Sequence, residues 1–420
     1  MKRGHIVKIL LINHYAGSLN NGMEFRPYYM SREWVKMGHD VTIAAASFSH
    51  LRQKNIVMEE PVKEEYIDGI RYVWLKTPEY HGNGIGRIKN MISFLHKLYK
   101  YEKIINKDHA PDVVIASSTY PLDSYPANWM AKKYKTKFVF ELHDLWPMSP
   151  MVLGNMSKWH PFIMVMQIAE DYWCRNANLV VSLHPYAYKH LITRGMKIDK
   201  YRIVTNGIVT EEWDEDYHQL PESHNTTIAN LKNQDKFLLG YAGGHALSNG
   251  LDLLVNLANS VKIDKSIHFV FVGDGVEKQN LEKMASSLQL TNISFLPPIP
   301  KNTIKTFYTA MDVLTCCLPM TPLLQYGPVM NKTFEYMMAG KPALCACSST
   351  FDPVSESGCG FTVPSGDVEM MSQKLFELKA MDKKIRAKMG NNGRTYALKN
   401  FTYLILAKKF IENVCEVIDR

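Results

Sequence analysis

Four stretches of this chain hold residue types that could act on a phosphorylated ligand. The first is Asn331-Lys332-Thr333-Phe334-Glu335-Tyr336-Met337-Met338-Ala339-Gly340-Lys341-Pro342. It reads as a short helix that opens on polar residues, carries one acid in its first turn and stops at Gly340, before a buried strand beyond Pro342. The second is a pair of glycine turns, Gly243-Gly244-His245 after the apolar run 237–242 and Gly273-Asp274-Gly275 after the run 268–272. Glycines at such turns let backbone approach a phosphate closely, and helix N-termini beside them can bind it without a metal. The third is Glu141-Leu142-His143-Asp144-Leu145-Trp146-Pro147, a histidine beside acids where the run 137–141 ends. The fourth is the loop from His14 to Tyr28, with Gly17, Asn21, Gly22, Glu24 and Arg26, following the first apolar run. Taken singly, each has an ordinary reading as a turn, and neither a G-x-G-x-x-G fingerprint nor a P-loop is present.

These segments need a scaffold that brings strand ends together. In the first half, runs at 8–13, 40–45, 71–75, 112–116, 137–141, 179–182 and 202–204 read as strands, with amphipathic stretches at 24–37, 88–105 and 127–134 between them. That alternation predicts a doubly wound, mostly parallel sheet. A polar segment follows Asn206-Gly207, and 208–235 is read as an interdomain linker. The alternation then restarts, with strands at 237–242, 268–272, 293–296, 312–317 and 343–346 and helices at 250–261 and 277–288. From 368 onward the pattern is almost wholly helical. The expected architecture is α/β: two Rossmann-like domains, 1–207 and 236–395, with a C-terminal helical segment at 396–420. Ligands of open parallel sheets sit beyond the carboxyl ends of strands, where all four stretches fall.

A chain of 420 residues is too long for one core and suits two domains. Apolar content of 46% and charged content of 21% are ordinary for a globular protein. No run of ~18 uncharged apolar residues is present to span a membrane. The first apolar run is too short for a signal-peptide core, so a cytoplasmic protein is expected. The seven cysteines, odd in number and without C-x-x-C, read as buried free thiols. The formal charge of +8 suits nucleotide diphosphates or an anionic membrane, and no RNA- or DNA-binding pattern argues for nucleic acid. The 87–107 segment sets Ile88, Met91, Ile92 and Leu95 at helical spacing among Lys89, Lys97, Lys100, Lys103 and Lys107. Such a basic amphipathic helix could rest on anionic lipid at the inner face of the plasma membrane, or simply lie on a sheet. Asp214-Glu215-Asp216 matches a D-x-D metal pattern, but it lies in a polar stretch and ends no strand, so no metal is expected.

The 331–342 string, preceded by the two glycine turns in order, resembles the nucleotide-sugar site of the retaining GT-B glycosyltransferases of family 4. In its details the His14–Tyr28 loop looks most like bacterial O-antigen and capsule transferases that handle amino or deoxy sugars. The resemblance implies a transferase that moves a sugar, with retention, from a nucleotide diphosphate sugar to a glycan or polyprenyl-diphosphate-linked acceptor, without cofactor or metal. It places Glu335 on the donor ribose, and Asn331, Lys332, Gly243, Gly244, His245 and Gly273 around the diphosphate. His143 would hydrogen-bond the donor sugar and stabilise positive charge at the anomeric carbon, with Asp144 orienting its loop. Gly17, Asn21, Gly22, Glu24 and Arg26 would line the acceptor and phosphate loop. The last helix would pack back on the first domain.

The chain departs from the family pattern in places. The position eight before Glu335, usually a second glutamate, is Gly327, so Tyr326, Gly327 and their loop are expected to hold the sugar through backbone N–H groups. His245 and Asn249-Gly250 stand where a basic pair is common. A catalytically silent nucleotide-sugar-binding subunit and a GT-B epimerase are the alternatives, the first favoured by the missing acid and opposed by the intact Glu335 and His143 segments.

Overall fold

The structure, a computed structural model, describes residues 6–22, 25–82, 84–107, 110–214, 216–328 and 330–419. It divides into two units, Met1–Asn206 with Tyr403–Arg420, and Gly207–Thr402.

The first unit is built on a sheet of β1 (Lys8–Ile12), β2 (Asp40–Ala46), β3 (Val62–Ile67), β4 (Ile70–Leu75), β5 (Val113–Ala116), β6 (Lys137–Leu142), β7 (Leu179–Ser182) and β8 (Tyr201–Ile203). The order is β3-β4-β2-β1-β5-β6-β7-β8. Every pairing is parallel except β3 with β4. The central strands are buried along most of their length because crossover helices cover both faces, which is why they read as continuous apolar runs. β3 was not foreseen. It closes a hairpin through Asp68-Gly69, both at positive φ, the geometry a two-residue turn requires. The single helix expected over 88–105 is two, Ile85–Lys100 and Glu102–Asn106. A long helix, Pro161–Asn176, also went unforeseen. The helix Tyr403–Ile418 joins this unit: Trp34 Nε1 donates to Ala407 O at 3.0 Å, and the Trp34 ring meets Phe410.

The second unit has one all-parallel sheet, β9 (Phe237–Ala242), β10 (Ile267–Val272), β11 (Ile293–Leu296), β12 (Val313–Cys317), β13 (Ala343–Ala346) and β14 (Gly360–Val363). Its order is β11-β10-β9-β12-β13-β14. The linker reading of 208–235 is overturned. The segment folds into helices Glu211–Asp214 and Glu222–Asn233, and Trp213, Leu220, Ile228 and Leu231 enter the core beside Leu238 and Phe307. Its apolar residues are spaced singly along a helix face, so they form no run. Ile228→Ala is expected to cost roughly 2 kcal/mol in urea unfolding, where a linker residue would cost nothing measurable.

All seven cysteines are free, six of them buried. Among the described residues, no helix is long and apolar enough to cross a membrane.

Candidate functional site

In the second unit, the turns that end β9 and β10 pack against each other. A Cβ on Gly273 would fall 1.9 Å from the carbonyl oxygen of Gly243, and both residues hold φ near +145° (148° at Gly243), so only glycine fits. Most donors of these turns are spent on the scaffold: Gly243 N–H on Val272 O (2.9 Å), His245 N–H on Asp274 O (2.8 Å) and Gly273 N–H on Leu296 O (3.1 Å). The N–H of the exposed Gly244 has no partner among the described residues. The family-based placing of Gly243 and Gly273 on the diphosphate therefore changes. They shape the turn, and their N–H groups are not the donors.

The helix Asn331–Met338 delivers the charge. Lys332 Nζ lies 2.6 Å from where a Gly243 Cβ would stand, and 5.3 Å from the centroid of the Tyr241 ring. Its ammonium thus covers the glycine turn. Glu335 follows one turn on, and it sits in the second turn of the helix, not the first. Its Oε2 accepts from Tyr308 OH at 2.9 Å. Burial pushes the Glu335 carboxyl above its ordinary range, against the pull of Tyr308 and Lys332. Asn331 lies exposed at the helix start, where no side chain among the described residues caps the N-terminus.

His245 is fully buried beside Tyr241 and Phe295, and neither ring nitrogen has a hydrogen-bond partner among the described residues. Burial, then Lys278, lowers its pKa, so the neutral ring is a packing element under the turn. Tyr326 ends the short turn Pro322–Tyr326, and the N–H of Gly327 is bonded to Leu324 O at 3.1 Å. That corrects the expectation that Gly327 offers its N–H to a sugar.

In the first unit, the carboxyl ends of β5 and β6 carry a buried polar network. Glu141, the penultimate residue of β6, receives Arg26 Nε (3.0 Å) and Nη2 (2.9 Å) on one oxygen. Its other oxygen receives Ser117 Oγ (2.6 Å) and meets His143 Nε2 (3.0 Å). Burial alone would raise this carboxyl; Arg26 and His143 overcome it and hold the group well below the usual carboxylate range. Arg26 also donates to the carbonyls of Val204 (2.9 Å) and Thr205 (2.6 Å). Its guanidinium is therefore consumed inside the fold, and the expectation that it lines a phosphate loop is corrected. Asp144 accepts from Leu145 N–H (2.9 Å), Ser149 Oγ (2.5 Å) and Trp146 Nε1 (3.2 Å). It holds the turn that presents His143, and both its oxygens are engaged within that turn.

The loop after β1 is anchored on several sides. Gly17 O accepts from Tyr72 OH (2.8 Å), Asn21 Oδ1 from Ser18 Oγ (2.7 Å), and Gly22 packs against Gln53. Glu24 lies outside the described residues. Beneath the loop, His14 Nδ1 meets Tyr120 OH at 2.5 Å, and burial pulls its pKa down to about 3. Nearby Asp123 is pushed up to about 7 by burial while accepting from Ser118 N–H. Ser117, Asp123 and Tyr308 were not foreseen. Ser117 and Ser118 directly follow β5, a positional signal open to sequence reading, whereas Tyr308 meets Glu335 only through tertiary packing. Among the described residues, no group of three or more His, Cys, Asp or Glu side chains is placed to hold a metal ion.

Two parallel-sheet α/β units, one with a lysine and an acid on the helix at its glycine turns, have the build of a GT-B glycosyltransferase. Family models agree: residues 21–207 match a glycosyl transferase 4-like domain and residues 224–396 match the glycosyl transferases group 1 domain. The chain belongs to the glycosyltransferases of this two-domain type. No curated protein matches it by sequence. Solved structures share the fold at low identity. Sucrose-phosphate synthase of Thermosynechococcus elongatus has a TM-score of 0.69 at 16% identity, covering 98% of this chain and 99% of that one. HepE of Anabaena, in complex with UDP-glucose, has a TM-score of 0.66 at 14%, covering 97% and 100%. WaaG, a glycosyltransferase involved in lipopolysaccharide biosynthesis, has a TM-score of 0.64 at 15%, covering 97% and 99%.

Proposed function

We propose that this protein transfers a sugar, N-acetylated or deoxy in type, from a UDP-sugar to a glycan or polyprenyl-diphosphate-linked acceptor of bacterial surface polysaccharide, with retention and without a metal. The observation that carries the reading is the Lys332 ammonium over the Gly243-Gly244 turn, one helical turn before Glu335. An ammonium, a Gly244 N–H without a partner among the described residues and a helix N-terminus without a side-chain cap among them suit a diphosphate. Glu335, steadied by Tyr308, suits the diol of the ribose that carries the diphosphate. UDP is favoured as carrier because HepE, of the same fold, binds it. The lipopolysaccharide role of WaaG supports the choice of acceptor class.

In the reaction, the bond from the anomeric carbon to the diphosphate breaks, and a bond to the acceptor hydroxyl forms on the same face. The acceptor proton passes to the departing phosphate oxygen, so no separate base is needed. Lys332 stabilises the charge that develops on that phosphate. His143, fixed from behind by Glu141, serves the sugar side, where positive charge develops.

Calorimetric titration with UDP, GDP, TDP and CMP in EDTA tests the donor site. One diphosphate should bind, and Glu335→Ala should weaken it roughly ten- to a hundredfold, the worth of a hydrogen bond to a charged group. Failure of all four to bind, or unchanged affinity in Glu335→Ala, overturns the site. Binding without any turnover favours the silent-subunit reading.

A further inference from the structure

Residues 145–169 contain no carboxylate, and neither do residues 81–101. The two stretches carry Arg87, Lys89, Lys97, Lys100 and Lys158 instead. Both fold as helices of the first unit, and both leave apolar side chains facing solvent. On Pro161–Asn176, Ile163, Met166 and Ala169 turn inward, while Met164, Val165 and Ile168 lie on the outer face, Ile168 62% exposed. Just before this helix Trp159 is 71% exposed, with Lys158 Nζ 5.2 Å from its ring centroid. On Ile85–Lys100, the residues Ile85, Ile88 and Ile92 form an outer stripe at helical spacing.

The two helices adjoin. Met91 and Met166 share one buried cluster with Tyr15 and Tyr120. Arg87 lies 5.9 Å from the Trp146 ring, which is itself 5.9 Å from Phe162. Solvent-facing apolar side chains at helical spacing, a tryptophan with a lysine on its ring, and a border poor in carboxylates, where Asp171 on the same helix is paired with Arg194, are the composition of an interfacial surface. A second copy of the chain would set one cationic border against another, which costs energy. A sheet of lipid phosphates matches it instead.

We propose that this face, formed by Trp159, Met164, Val165 and Ile168 with the Ile85–Lys100 helix, docks the first unit on an anionic lipid bilayer. The apolar side chains enter the boundary between headgroups and acyl chains, and Lys158 and Lys89 meet lipid phosphates, while Arg87 stays on Tyr15 and Trp146. Trp146, in the 144–149 turn that presents His143, lies 5.9 Å from Phe162 of this helix, so docking holds that turn close to the lipid. The inference deepens the reading of a lipid-linked acceptor and rests on it for its purpose, but docking itself is measured without turnover.

The test is co-sedimentation of the full chain with vesicles of phosphatidylcholine alone, and of phosphatidylcholine mixed with phosphatidylglycerol. The mixed vesicles should bind the chain, the neutral ones much less, and added salt should weaken binding. Trp159→Ser with Ile168→Ser should lower the partition roughly tenfold or more. Ile263→Ser, at a lone exposed position of the second unit, should leave it unchanged. Absence of binding to mixed vesicles overturns the proposal, as does undiminished binding by the double variant. A patch variant that changes only the oligomeric state in light scattering also overturns it and assigns the face to self-association. UDP calorimetry on the same samples separates the two readings: nucleotide binding without vesicle binding removes the docking surface alone, and the reverse removes the donor site alone.

Discussion

Arg26→Ala should unfold roughly 3–5 kcal/mol more easily than the wild type in urea, because it takes from the buried Glu141 carboxylate its main counter-charge and leaves it only His143 and Ser117. Both side chains are almost wholly inaccessible, 3% and 2% exposed, so solvent cannot take over the role of the guanidinium. Removing Arg26 also leaves the carbonyls of Val204 and Thr205 without their donors. Arg26→Lys should not rescue it, since one ammonium cannot reproduce a fork that serves a carboxylate and two carbonyls. The double variant Arg26→Met with Glu141→Leu separates stability from function. An apolar pair of similar volume should recover most of the lost stability. Turnover should nevertheless stay down roughly a hundredfold, because His143 has lost the carboxylate that fixes its ring. Recovery of both would reduce the network to a packing device.

The same carboxyl sets an acid limit. It is lowered in the folded protein, so its contribution is full above the unfolded value of about 4.3 and drains away as pH falls towards the folded value. Stability curves of wild type and Glu141→Gln should therefore lie farthest apart near neutral pH and converge below about pH 4.

Most strands legible in the sequence are buried on both faces, where continuous apolar runs leave little ambiguity; the partly buried β8 and β11 were read as well, and the edge strands β3 and β14 were not. Edge and helical elements were harder. β3 mixes partly buried and exposed residues at a sheet edge, and its one clear signal was the Asp68-Gly69 turn. The segment 208–235 looked like a linker because its core contacts come from well-separated residues, such as Trp213 and Ile228, on short helices. At the site, the glycine turns and the Lys332–Glu335 helix were recognisable as a string, but only through resemblance to a family. The partners that give those residues their chemistry were not. Arg26 and Glu141 are separated by 115 positions, and Tyr308 and Glu335 by 27, distances at which no local pattern operates. Arg26 shows the consequence: its place in a loop suggested a substrate contact, whereas its charge is spent on β6.

Gly390→Ala should be among the most damaging single-methyl changes in the second unit, although Gly390 touches none of the proposed donor residues. It lies in the helix Lys383–Asn400, which packs on the Asn331–Met338 helix. A Cβ there would fall 1.8 Å from the carbonyl oxygen of Gly340. The obstacle is backbone on both sides, so the helices must separate by roughly 1.5 Å to restore van der Waals contact. Overpacking of this kind should cost about 3 kcal/mol. It should also weaken nucleotide binding at least about tenfold, because the helix displaced is the one that sets Lys332 over the Gly243 turn and Glu335 against Tyr308. Gly340→Ala is the control on the opposite side of the same contact. Its φ is +64° and an added Cβ meets nothing within 4 Å, so it should cost only about 1–2 kcal/mol of left-handed strain and leave affinity unchanged. Urea unfolding and calorimetry on the two variants decide the matter: equal losses would mean that backbone strain at the helix end, and not the closeness of the two helices, controls the position of the donor residues.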